Sequence, residues 1–192
     1  MKKSYSMFAL FSLIIIALVV VFLGFVVFGP GNPVPWVILV ILALIPYFHE
    51  RSVRKEYIEW SSQYEVGVKL IDHDHQKLVG LLNQVVSASH YNMGKGYVKG
   101  VIEELIEYTK YHFEREEGLM RDNNWTDIDA HMKQHRDMVD KVEAFSSKYT
   151  GDLDGQEELS TEIHHFLKDW LLDHIVRTDK ELGQFLISSG VK

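Results

Sequence analysis

Residues 68–88 read VKLIDHDHQKLVGLLNQVVSA. Apolar side chains recur at Ile71, Leu78, Leu81, Leu82 and Val85, the spacing of one face of an α-helix. His75 falls on the side of Leu78, Val79 and Leu82, at or near that stripe. An imidazole buried without a partner costs several kcal/mol. The stretch therefore predicts a packed helix and asks what holds His75.

Working outward, three further stretches repeat the pattern. Residues 97–120 place Val98, Val101, Leu105, Tyr108, Phe113 and Leu119 on a broad stripe. Residues 126–147, with Thr126 or Asp127 as N-cap, carry Met132, Met138, Val142 and Phe145. Residues 158–187, with Ser160 or Thr161 as cap, carry Ile163, Phe166, Leu167, Trp170, Leu171 and Ile175. The breaks HYNMGKG, DNNW and TGDLDGQ are rich in turn formers, and no strand pattern is visible. Four amphipathic helices with short connections predict an all-α, antiparallel up-and-down four-helix bundle.

The N-terminal part differs. Residues 7–28 contain no charge and would span ~33 Å as a helix, against a hydrocarbon core of ~30 Å. The run is too long for a cleaved signal peptide, and no A-x-A-like site follows. After the turn GPGNPVP a second apolar run, 36–48, is flanked by Trp36 and Tyr47 and is only ~20 Å long as a helix, short enough to need a thinned bilayer or to be re-entrant. The expectation is an N-terminal transmembrane helical hairpin over 1–55, with spans at about 7–28 and 34–48, and the bundle over 56–192. Membrane lipid is then a partner. Residues 1–58 hold five Lys/Arg against two Glu, a net +3, and the other 134 residues carry −10. Lys2, Lys3, Arg51, Arg54 and Lys55 flank the hairpin, which places both ends and the bundle on the cytoplasmic side of the inner membrane. An acidic domain without a basic patch excludes nucleic acid as a partner. The absence of Cys excludes disulfides and thiolate metal sites.

Nine of the ten histidines lie between His73 and His174. On a helix, positions four apart share a face. HFEREE (112–117) pairs His112 with Glu116 in this way, and HMKQH (131–135) pairs His131 with His135. His174 is flanked by Trp170, Leu171 and Ile175. Any one of these is more often a core histidine or a surface pair than a ligand. All four helices offer such a residue, and that points to nitrogen and oxygen ligands converging on metal. His49, at the border of the apolar run, and His73, His90, His164 and His165 are read as ordinary structural residues.

These residues resemble the bacterial hemerythrins, a non-haem di-iron four-helix family. The resemblance runs through WSSQYEVGVKLIDHDHQKLVGLLN (60–83), YTKYHFEREEGLM (108–120), HMKQH and FLKDWLLDHIVRTDKELGQFL (166–186). It implies the ligands His75, His112, Glu116, His131, His135, His174 and Asp179. Asp179 enters by the resemblance alone, because five residues along a regular helix is ~140° off the face of His174. The resemblance further implies two iron ions with an oxo or hydroxo bridge. Glu116 and Asp179 touch both ions; His131, His135 and His174 hold one, and His75 and His112 the other. One position is then left open for O2. Val79, Phe113, Trp170 and Ile175 are expected to wall it.

The function implied is reversible O2 binding, for storage or delivery at the membrane, with O2 as the ligand and a membrane oxidase as one recipient. An oxygen or redox sensor acting through a separate signalling partner is the second reading. A di-iron peroxidase or nitric oxide-handling enzyme is the third.

Overall fold

The computed structural model describes residues 7–91, 93–148 and 156–191. The chain divides into two compact units, Met1–Lys55 and Glu56–Lys192.

In the first unit, helices α1 (Met7–Phe28) and α2 (Pro33–Arg54) pack on each other through a turn at 29–32. Phe25 meets Trp36 edge to face, with ring centroids 5.1 Å apart. Helix α2 continues past the expected end at 48, through Pro46 and into its charged last turn. Among the described residues, no helix is long and apolar enough to cross a membrane. The unit is thus a helical pair, and two membrane spans are not shown.

Among the described residues the regular structure of the second unit is helical, without strands: a 3-10 turn (Ser62–Tyr64), then α3 (Lys69–His90), α4 (Lys95–Asp122), α5 (Ile128–Lys148), α6 (Gln156–His174) and α7 (Lys180–Ser188), with a π turn (Ile175–Asp179) between the last two. Helix α3 packs on α4, α4 on α5, α5 on α6 and α6 back on α3, which closes a four-helix ring. Ser160 and Thr161, expected as caps, lie inside α6, which starts at Gln156.

The apolar stripes meet in the middle. Ile71, Leu78, Leu81 and Leu82 of α3, Ile102 and Leu105 of α4, Met138 of α5 and Ile163 of α6 are buried in one core. Cutting any of these large side chains to Ala would cost about 2–5 kcal/mol. Met132, Phe145 and Trp170 are only half-buried.

Two local devices set up the site. Ahead of α3, the Asp72 carboxylate accepts from the backbone N–H of Val66 (2.6 Å) and of Gly67 (3.2 Å), fixing the entry of the helix. Gly183 of α7 is needed at that spot, since a Cβ there would strike the Val66 carbonyl. At the end of α4, Asn124 takes a left-handed φ of 56°, which Asn tolerates better than most residues. The Trp125 N–H then bonds the Met120 carbonyl (3.0 Å) and the Asn124 N–H bonds that of Arg121 (3.2 Å), a Schellman closure. It drops Trp125 into the core, edge-on to the His131 ring at 6.0 Å.

Candidate metal centre

His75, His112, Glu116, His131, His135, His174 and Asp179 are all buried, none more than 3% exposed. Their ligand atoms form two groups. Glu116, His131, His135, His174 and Asp179 make one; His75, His112, Glu116 and Asp179 make the other, and within each group the ligand atoms lie within 4.8 Å of one another. Glu116 and Asp179 belong to both.

The imidazoles aim Nε2 at these two carboxylates. His131 Nε2 is 3.6 Å from Glu116 Oε2 and 3.3 Å from Asp179 Oδ1. His135 Nε2 is 3.4 Å from Glu116 Oε2, and His174 Nε2 is 3.1 Å from Asp179 Oδ1. On the other side, His75 Nε2 is 3.3 Å from Asp179 Oδ2 and 3.9 Å from Glu116 Oε1, and His112 Nε2 is 3.7 Å from Glu116 Oε2. Atoms held ~2.1 Å from one first-row ion sit roughly 3 Å apart at right angles, so the spacing fits. Both nitrogens of His75, His112 and His131 and all four carboxylate oxygens lack a hydrogen-bond partner. Burying so many unsatisfied polar atoms is costly unless something ligates them. Nitrogen and carboxylate oxygen suit first-row divalent ions, iron and manganese among them.

Asp179 reaches the site because the helix changes pitch. Across Ile175–Asp179 the backbone takes a π turn. Such a turn closes i→i+5, so the fifth residue comes back over the first. Asp179 therefore shares a face with His174, where a regular helix would turn it away.

Three of the outward ring nitrogens face side chains that the sequence did not give away. His135 Nδ1 lies 3.2 Å from Glu117 Oε1, and His174 Nδ1 3.0 Å from Gln134 Oε1. Asp74 Oδ2 is 3.6 Å from His112 Nδ1. In each case the residue flanks a ligand on one helix and reaches the histidine of the next helix in the chain. The offset of one residue is the only signal that could have found them.

Of the four expected wall residues, Phe113 stacks flat on His135 (centroids 3.7 Å apart) and Trp170 stacks on His174 (4.3 Å). Both thus back the three-imidazole group. Val79 and Ile175 are buried in the surrounding core.

The electrostatics follow from burial and pairing. Burial pushes the Glu116 and Asp179 acids up and their mutual repulsion raises Glu116 further, but the imidazoles around them outweigh both, so each titrates below the ordinary carboxylate range. Burial lowers His131, yet Asp179 and Glu116 hold it up at about 9. His135 is pushed down by burial and by the charges of His131 and His174.

The remaining described histidines stand apart. His90 ends α3, where a turn was expected, and pairs with Glu56 at 2.8 Å. His73 and His165 are both exposed. His164 is 3% exposed with Nε2 unpartnered, and burial, then His165 and Lys168, push it down to about 4. Its folded value lies below the unfolded value of 6.5. The unfolded chain thus binds the extra proton, and stability falls as pH drops from 6.5 toward 4. Denaturant melts of metal-free protein should show this loss as about 2 kcal/mol relative to His164→Gln, less than the full shift because exposed His165 is screened by solvent. Parallel pH profiles for the two proteins would contradict it.

A family model described as hemerythrin HHE cation binding domain matches residues 66–186. The bacteriohemerythrin of Clostridium acetobutylicum is 29% identical over 125 residues, 64% of this chain and 95% of that protein. The bacteriohemerythrin of Pseudomonas aeruginosa strain PAO1 is 31% identical over 125 residues, 64% of this chain and 77% of that protein. A crystal structure of wild-type hemerythrin superposes with a TM-score of 0.60 at 23% identity, covering 67% of this chain and 97% of that one, a likeness of fold.

Proposed function

The chain belongs to the hemerythrin HHE cation binding domain family, and from that premise we propose that its second unit holds two iron ions and binds O2 reversibly. The observation that carries this is the sharing of Glu116 and Asp179 between two buried groups of ligand atoms. His131, His135 and His174 would hold one ion and His75 and His112 the other, with the two acids touching both. When bound, the iron pair supplies the electrons that O2 takes up on binding and returns on release.

The chain's own residues make this reversible. Phe113 and Trp170 lock the planes of His135 and His174 by stacking. In this reading they and the buried Val79 and Ile175 wall the open position with apolar side chains, a surround that suits a diatomic. Two other reactions of such a centre, steady oxidation of substrate and relay of an oxygen signal, are outcomes of the test.

The first unit, in this reading, anchors the bundle to the inner membrane, with both of its ends and the bundle facing the cytoplasm. The support is an uncharged α1 of 22 residues and outward apolar side chains on both helices, among them Phe22, Val27, Val40 and Phe48. Salt or carbonate washing of membranes checks it: the full chain should stay with the lipid, and release by carbonate would overturn the anchor without touching the metal centre.

Iron-loaded protein cycled between argon and O2 is expected to gain and lose the same visible absorption band over many cycles. Steady consumption of O2, peroxide or nitric oxide would replace the carrier by an enzyme. Absence of any band would end the O2 reading.

A further inference from the structure

The outer partners of the site form a directional series. Asp74 of α3 faces His112 of α4 (3.6 Å), Glu117 of α4 faces His135 of α5 (3.2 Å), and Gln134 of α5 faces His174 of α6 (3.0 Å). None of these three Nδ1 contacts has a counterpart at His75 or His131: Nδ1 of each is buried with no hydrogen-bond partner, and among the described residues no acid faces it as Asp74 faces His112. The two-imidazole group therefore has a single outer support, and that support is Asp74.

Asp74 is built for the position in a way Glu117 and Gln134 are not. It is 1% exposed. Arg115 Nη1 reaches both of its oxygens, at 2.8 and 2.6 Å, and the Tyr108 hydroxyl donates to Oδ1 at 2.8 Å. Arg115 is itself held, with its guanidinium over the Tyr111 ring at 4.5 Å and Nη2 donating to the Tyr111 hydroxyl. A carboxylate buried alone would neutralise itself or be excluded; one clamped by an arginine stays ionised and stays put. The clamp leaves Oδ2 turned toward the Nδ1 edge of His112. That edge is the one a ligating imidazole presents away from its metal, and carboxylates there orient the ring and strengthen the ligand.

We propose that Asp74, clamped by Arg115 and Tyr108, is a positioning residue that fixes the His112 ring and thereby sets the metal affinity of the two-imidazole half of the centre, leaving the three-imidazole half to Glu117. This rests on the two-metal reading above. The competing role is a plain ion pair tying α3 to α4, which would act on both halves alike through the stability of the fold.

The test is a Co2+ titration of the metal-free full-length chain, followed by the visible absorption of the bound ion. His112→Ala identifies which of the two equivalents belongs to the two-imidazole half. Asp74→Asn is expected to weaken that equivalent about 10- to 100-fold and leave the other nearly unchanged, and Glu117→Gln to do the converse. Arg115→Gln keeps the acid but frees it, and should weaken the same equivalent as Asp74→Asn by a smaller factor. Because it retains Asp74, this variant decides the matter if Asp74→Asn lowers the melting temperature of the metal-free protein. Equal weakening of both equivalents, or of neither, overturns the role of Asp74. Uptake of fewer than two equivalents by the unaltered chain overturns the two-metal reading itself.

Discussion

Protein carrying Glu116→Gln together with Asp179→Asn is expected to leave purification free of metal, while its helix content stays that of the unaltered chain. Both changes are near-isosteric, so the packing around α4 and α7 is kept. What they remove is charge. The seven ligand side chains include only these two anions, and both are fully buried. Two divalent ions in such a place would have imidazoles as their remaining side-chain ligands, with no anionic ligand to offset the loss of hydration. Losing a partner outside the ligand set costs about 10- to 100-fold in affinity, and losing both shared ligands must cost far more. The single variants separate the roles. Glu116 lies within 3.9 Å of four imidazole nitrogens, and Asp179 within 3.3 Å of three. Each single variant should retain one ion at most, because each leaves one anion for the pair of groups. Elemental analysis decides it. Two tightly held ions in the double variant would mean that the acids merely accept protons from the histidines and that the metals, if any, sit elsewhere.

How far this centre can be read from the sequence depends on helix geometry. Six of the seven residues obey the regular α-helical rule: His75 lies on the apolar stripe of α3, His112 and Glu116 are four apart, His131 and His135 are four apart, and His174 stands among apolar neighbours. Periodicity finds all of these. Asp179 breaks the rule because the π turn inserts one residue into the helix, and nothing in IVRTD announces a π turn. Only the resemblance placed it. The outer partners were missed for a related reason. Asp74, Glu117 and Gln134 sit one residue from a ligand, ~100° round the helix, where a single-helix reading assigns them to the surface. Their role appears only when the neighbouring helix is in place. Helix ends were the weakest part: α6 begins at Gln156, upstream of the Ser160 and Thr161 caps expected, because Gln, Glu and Leu favour helix as much as the residues after them.

Loading the metal-free protein with Fe2+ under argon is expected to raise its melting temperature by about 8–16 °C at neutral pH. A ligand that binds only the folded chain at a thousand times its Kd adds about 4 kcal/mol, and each kcal/mol moves the midpoint of a protein of this size by about 2–4 °C. The gain should also grow with pH. His131, held up at about 9 by Asp179 and Glu116, keeps a proton in the metal-free fold that the unfolded chain releases near 6.5. Its contribution to stability is complete below 6.5 and is lost as pH rises through about 9. The two acids act in the opposite sense, with stability lost only as pH falls through and below their ordinary range. Through His131 the metal-free protein thus weakens as pH rises from 6.5 toward 9. A metal ion on His131 replaces that proton, so the loaded protein escapes the alkaline loss and the separation between the two melting curves widens from pH 6.5 to 9. A separation that stays flat or narrows over that window would mean that the His131 nitrogen facing Glu116 and Asp179 is not where the metal binds.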